Sequence, residues 1–176
     1  MKAGEHGLGL QLQDGELRLS EHHPGWADAF RQEAARLRPL LPPGGELEHI
    51  GSTAVPGLIA KPVLDLAVML SGAPAIAIFE TALPALGYCF RDDAGAGGGR
   101  VWLHESSGTR TNILHLVTRG DAQWGRWLAL RDLLRQSSQA REQYAEAKLR
   151  AVGLSSDRQK YTQLKTTTIQ RLLSGE

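Results

Sequence analysis

The spacing of apolar positions changes period several times along the chain. Trp26, Phe30, Ala34 and Leu37 recur every three or four residues, which predicts an amphipathic helix opened by Pro24-Gly25 and ended by Pro39 and Pro42-Pro43-Gly44-Gly45. Before it, Leu17-Arg18-Leu19-Ser20 alternates and predicts a short edge strand, while the Gly-rich residues 1–16 predict a loose arm. Residues 47–50 predict the end of a strand. Residues 63–70 are nearly all apolar, as in a strand covered on both faces. Residues 74–86 predict a helix with Ile76, Phe79 and Leu83 inward and Gly87 as its C-terminal glycine. A short strand over 87–90 follows. Residues 92–99 form a Gly-rich tip, without the Lys-Ser/Thr that a phosphate loop needs. Residues 100–104 and 111–118 predict a hairpin. In its second strand Asn112, Leu114 and Leu116 share one face, and Ile113, His115 and Val117 the other.

From Asp121, a predicted N-cap, the period is helical. One helix runs through Trp124, Trp127, Leu128, Arg131 and Leu134 to a break at Ser137-Ser138. A second reaches about Ala151 and ends at Gly153, and a third runs from Asp157 to near Leu173. The fold class is therefore α/β (α+β), a small mixed sheet flanked by helices with a C-terminal helical part. One domain is expected over residues 1–176, with an α/β core over about 17–118 and a helical extension over about 119–176.

Formal net charge is +1, which points to neither nucleic acid nor membrane as partner. The charge is unevenly spread: residues 119–176 hold 11 Lys and Arg against 6 Asp and Glu, and residues 1–118 hold 9 against 13. A basic C-terminal part against an acidic core suits a small anionic ligand between them, and equally suits solvated helix faces. Cys89 is the single cysteine, so no disulfide framework forms within the chain, and its place in a short strand predicts a small core residue. No apolar run approaches membrane-spanning length and no signal core is visible, which makes the cytoplasm the expected compartment.

The chemistry concentrates between His49 and Leu70. Gly51-Ser52-Thr53 offers backbone N–H groups and two hydroxyls at a turn, a sensible phosphate cradle or else a tight turn with capping hydroxyls. Val55-Pro56-Gly57 is a second turn. Asp65 is the one charge in the apolar run, and a carboxylate there must be paired, metal-bound or set at a strand end facing a cleft.

Ile50-Gly-Ser-Thr-Ala-Val-Pro-Gly-Leu58, followed by Ala60-Lys-Pro-Val63 and Asp65, resembles the signature of the GrpB family within the nucleotidyltransferase superfamily. The resemblance runs from Trp26 to Lys165. It takes in Arg110, His115, Leu130-Arg131-Asp132 and two Tyr-Lys pairs, Tyr144 with Lys148 and Tyr161 with Lys165. It implies a nucleotidyltransferase-like fold in which Gly51, Ser52 and Thr53 hold phosphate and Asp65 is the catalytic, metal-binding carboxylate. Active members of the superfamily carry Asp-x-Asp or Asp-x-Glu, and here the second position is Ala67. His115 stands as a second metal ligand, for Mg²⁺ or more fittingly Mn²⁺ or Zn²⁺, or as a buried histidine bonded to Asp65 or backbone. Asn112 and Ile113 occupy positions where the family usually has another histidine.

Lys61 and Arg110 are the further expected phosphate contacts. Tyr144, Lys148 and Lys165, with Tyr161, either close over a nucleotide from the helical side or form ordinary helix faces. Arg131-Asp132 predicts an internal ion pair, and His49 either orients the glycine turn or caps it. The expected function is a nucleotidyltransferase-like protein binding a nucleotide or other phosphorylated small molecule, with metal-dependent nucleotidyl transfer if catalysis is retained. The alternative is a catalytically inactive phosphate-binding or protein-interaction module, which the missing second carboxylate favours. Binding of RNA ends by the basic helical third is the weaker possibility.

Overall fold

The computed structural model describes residues 8–13, 16–91, 99–154 and 158–175. The described residues form a mixed sheet of β1 (Leu12–Gln13), β2 (Glu46–Ile50), β3 (Leu64–Leu70), β4 (Tyr88–Arg91), β5 (Arg100–Ser106) and β6 (Thr109–Thr118). Its order is β2-β3-β6-β5-β4, with β1 added to β6. β3 and β6 run parallel; every other pairing is antiparallel. The helices are α1 (Trp26–Leu37), α2 (Ala73–Ala82), α3 (Ala122–Gln136), α4 (Ser138–Leu154) and α5 (Arg158–Ser174).

β3 is central because its two faces serve two cores. Leu64, Leu66, Val68 and Leu70 pack with Leu114 and Leu116 of β6 against Trp26, Leu37, Ile76 and Phe79 of α1 and α2. Ala67 and Met69 point the other way, to Ile50, Val117 and Trp124 under α3. A continuous apolar run is what such a position demands, since alternate residues must be apolar for both layers. A third cluster joins Val55 and Leu58, just after the glycine turn, to Leu134, Ala140 and Tyr144, with Ile169 and Leu172 packed against them. The helical third therefore packs on the turn as well as on the sheet.

Most elements fall where the hydrophobic pattern places them. Gly87 closes the 3₁₀ turn after α2 in the left-handed region, at φ +88°, and the Asp121 side chain accepts from Gln123 N at 2.8 Å to cap α3. Three expectations need correction. Residues 17–20 form no strand; only Ser20 bridges, to Ala60. Part of the expected loose arm is anchored instead: Leu12 and Gln13 pair with β6, and Leu10 is buried in the core. Cys89 is exposed, because β4 is the sheet edge and the α3 side packs over β2, β3 and β6. The expected tip at 92–98 and helix start at Asp157 lie outside the described residues.

A buried polar network ties α1 to the sheet. The Tyr88 hydroxyl donates to Glu33 Oε1 at 2.9 Å and accepts from Asn112 Nδ2 at 3.3 Å, while Arg36 Nη1 donates to Glu33 Oε2 at 2.6 Å. Burial, and the Glu33 carboxylate beside it, push the Tyr88 hydroxyl far above its ordinary pKa, so it stays a donor at any working pH. Tyr88→Phe leaves Glu33 and Asn112 each short of a partner in a dry site, at a cost of about 1–3 kcal/mol. Urea unfolding of the two proteins measures it, and equal midpoints would show that the network adds nothing.

Candidate functional site

β2 delivers the chain into a left-handed glycine. Gly51 has φ +70°, and a Cβ built there would stand 2.8 Å from Asp65 Cβ and 2.9 Å from Asp65 Cγ. No real Cβ sits so close, so only glycine lets Asp65 lie against this backbone. The contact follows from register, because Ile50 pairs directly with Asp65 across β2 and β3. Ser52–Ala54 then form one 3₁₀ turn.

Two elements hold that turn from either side. His49 stacks flat on Phe30 of α1, with ring centroids 4.5 Å apart and planes at 10°, and its Nε2 lies 3.0 Å from Thr53 Oγ1. Burial drives the His49 pKa down to about 4; Arg135, Arg131 and His22 add to this and only Asp65 opposes it. The ring is therefore neutral at pH 7 and orients Thr53 as a polar strut. From α3, Arg131 Nη1 donates to Glu48 Oε2 at 2.6 Å and to the His49 carbonyl at 3.2 Å, and Arg135 Nε donates to the Ala54 carbonyl at 3.0 Å. The Arg131–Asp132 pair expected from sequence is present at 2.8 Å. Arg135 escaped sequence reading, although it lies one helical turn beyond Arg131.

Among the described residues, α4 contributes the most buried charged side chain. Lys148 is 2% exposed, and its Nζ donates to Ser52 Oγ at 2.8 Å and to the Ile59 carbonyl. The ammonium lies over the Tyr144 ring, 5.3 Å from its centroid. Burial drives its pKa down first and Lys165 adds to that. The Asp65 carboxylate opposes the fall and Lys61 lowers it again, leaving about 7. Lys61, Lys165 and Asp65 thus all act electrostatically on the Lys148 amine.

Asp65 opens the α3 face of β3, and across the parallel pairing Ala67 lies beside His115. His115 Nε2 is 3.8 Å from Asp65 Oδ1, an electrostatic contact longer than a hydrogen bond. Burial alone would raise the Asp65 carboxyl, but His115 first, then Lys165 and His49, hold it below its ordinary value. The His115 ring tilts on Trp127, and its buried Nδ1 has no hydrogen-bond partner among the described residues. A metal-ligating histidine normally donates its second N–H to an orienting group, and Mg²⁺ asks for oxygen ligands in number. One carboxylate and one unoriented imidazole fall short of that, and among the described residues no three His, Cys, Asp or Glu converge.

The remaining expected site residues lie as follows. Tyr144 is buried in the core with Val55 and Leu58, so its ring faces Lys148 rather than an open stacking position. Arg110 is buried on β6, pairs in register with Leu12, and donates to Glu105 Oε1 from Nε and Nη2 at 3.0 and 2.9 Å. The Tyr161 side chain lies outside the described residues.

The neutral His49 makes a testable demand on stability. Its folded pKa of about 4 lies below the unfolded 6.5, so between these values the unfolded chain binds the extra proton. Stability from this group is full above pH 6.5 and falls as pH drops towards 4, by about 2–3 kcal/mol at pH ~4.5. His49→Gln keeps a hydrogen-bonding side chain that does not titrate. Urea unfolding at pH ~7 and ~4.5 should show a smaller acid loss in the variant, and an equal loss would remove His49 as the cause.

Comparison with known proteins agrees with this geometry at the level of fold. The model for "GrpB protein" matches residues 16–174. A UPF0157 protein of Deinococcus radiodurans is 30% identical over 175 residues, covering 95% of this chain and 89% of that one. The glutamate-rich protein GrpB of Alkalihalophilus pseudofirmus is 26% identical over 174 residues, covering 94% and 98%. Among solved structures, GrpB of Enterococcus faecalis superposes with a TM-score of 0.76 at 26% identity over 90% of this chain and 98% of that one. Cid1, in complex with the UTP analogue UMPNPP, superposes at 0.54 with 14% identity over 82% of this chain and 46% of that one, a likeness of fold alone. The sheet order, the glycine turn against Asp65 and the matched span of the family model lead to one assignment: the chain belongs to the GrpB family and has a nucleotidyltransferase-like fold.

Proposed function

We propose that the Gly51–Thr53 turn, with Lys61 and Lys165 beside it and Lys148 holding Ser52 from within, binds the phosphate of a nucleotide or another phosphorylated small molecule. The observation that carries this reading is Lys148 reaching from α4 to Ser52 Oγ, with Lys61 and Lys165 close enough to depress its pKa. Three amines around one carboxylate make a cationic site, and the glycine at φ +70° lets a ligand approach the backbone. The cost of gathering amines in a partly desolvated place is recovered when an anion arrives.

The same charges favour binding without a divalent ion. In nucleotidyl transfer a metal offsets phosphate charge between two carboxylates. Here Ala67 stands at the second position, and lysines supply positive charge instead. The catalytic, metal-dependent alternative rests on Asp65 with His115 at 3.8 Å.

Thermal denaturation with inorganic phosphate, pyrophosphate and nucleoside mono-, di- and triphosphates tests both. At ~100-fold excess over Kd, a ligand specific to the native state raises the melting temperature by roughly 5–10 °C. The rise should survive EDTA and Asp65→Ala, and shrink in Lys61→Met and Lys165→Met. A rise that needs Mg²⁺ or Mn²⁺ and disappears in Asp65→Ala would instead support the metal-dependent transferase. No rise with any probe would overturn the phosphate reading.

A further inference from the structure

The contact between Ser52 and Lys148 has the form of a nucleophile and its base. Lys148 Nζ lies 2.8 Å from Ser52 Oγ and also bonds the Ile59 carbonyl. A carbonyl only accepts, so that bond uses one N–H of the lysine in either charge state. An amine that has lost its third proton keeps a lone pair, and Ser52 Oγ lies in position to donate a proton to it. Lys148 is walled off from solvent, packed over Tyr144 and held by α4 against the loop that contains Ile59. Ser52 is half-buried at the turn, so its oxygen remains within reach of a ligand. Serine paired with a buried lysine activates a hydroxyl on several unrelated folds.

Resting on the phosphate-binding reading above, we propose that Ser52 is a nucleophile towards phosphorus and that Lys148 is its general base. In the step, the Ser52 hydroxyl proton moves to Lys148 Nζ and Oγ forms a bond to phosphorus. The bond from phosphorus to the leaving oxygen breaks, and the leaving group departs with the electron pair. It takes a proton from water on the far side of phosphorus, the Lys148 ammonium later gives its own proton to solvent, and phosphorylated Ser52 and a free alcohol remain. Lys61 and Lys165 offset charge on the phosphoryl oxygens. No redox partner is required.

The groups around Lys148 set when it serves as a base. Lys61 precedes β3, Asp65 lies on β3, Lys165 on α5 and Tyr144 one turn earlier on α4. Burial favours the neutral amine most, the two lysines add to it and Asp65 opposes, with the balance at about 7. At pH 7 a substantial fraction of the protein therefore carries a competent base.

Diisopropyl fluorophosphate supplies an activated phosphorus centre with fluoride as leaving group, and intact mass with peptide mapping locates the adduct on the full chain. One adduct on Ser52 is expected, formed faster as pH rises through about 7 and level above it. Ser52→Ala should give none. Lys148→Arg keeps a charge and donors but cannot act as base, so in the folded variant labelling should slow by ~100-fold or more. Lys148→Met provides an uncharged control. Labelling of Ser52→Ala at the wild-type rate, labelling of Lys148→Arg at that rate, or a wild-type rate flat from about pH 5.5 to about 9 would each overturn the dyad. A thermal shift with phosphate ligands but no adduct refutes the dyad alone, and an adduct without any shift refutes the phosphate reading alone.

Discussion

Burying one lysine organises the molecule around its glycine turn. Lys148 loses most of its hydration, and the chain recovers the cost with two oxygen acceptors and an aromatic face. Those partners come from separate places: Ser52 on the turn, Ile59 on the following loop and Tyr144 on the same helix. For all three to meet, α4 must dock in one register, and Val55, Leu58 and Leu134 make the apolar seat that fixes it. Remove the seat and the ammonium has no dry place to go. Remove the acceptors and the seat holds an unpaired charge.

The opposite face of the sheet is fixed by another buried polar set, with a different purpose. Glu33, Arg36, Tyr88 and Asn112 satisfy one another between α1 and the sheet, and none of them faces the turn. The His49 strut links the two regions. It stacks on Phe30 of α1 yet bonds Thr53 in the turn. Helix α1 thus positions the turn from behind while α3 and α4 hold it from the front. Helices from both ends of the chain fix a few ångströms of backbone.

Much of this was legible in the residue pattern, and the limits have physical causes. The two-faced run of β3 and the alternation of β6 carry strong periodic signals, because packing on both sides leaves little freedom of residue type. Leu12–Gln13 gives no such signal, since a two-residue strand exists only through its partner about a hundred residues away. Leu17 to Ser20 shows the converse: it alternates well, but beyond the Ser20 bridge no strand pairs with it. Exposure of Cys89 depends on which strands the helices cover, a tertiary fact that local sequence does not encode. In the site, Gly51 to Asp65 was visible as a motif. The burial of Lys148 was not, because a Tyr-Lys pair on a helix looks the same whether it faces water or the core.

Sequence order gives the Lys148–Ser52 contact a consequence in time. Ser52 leaves the ribosome 96 residues ahead of Lys148, and Lys165 follows later still. For that interval a nascent chain holds the glycine turn and Asp65 with neither of these helical amines to complete the constellation. The proposed site is thus incomplete until the helical third has been made and has docked. A chain truncated between β3 and α4 keeps the Ile50–Asp65 signature but lacks Lys148 and Lys165, so the motif in a fragment identifies the lineage and says nothing about competence.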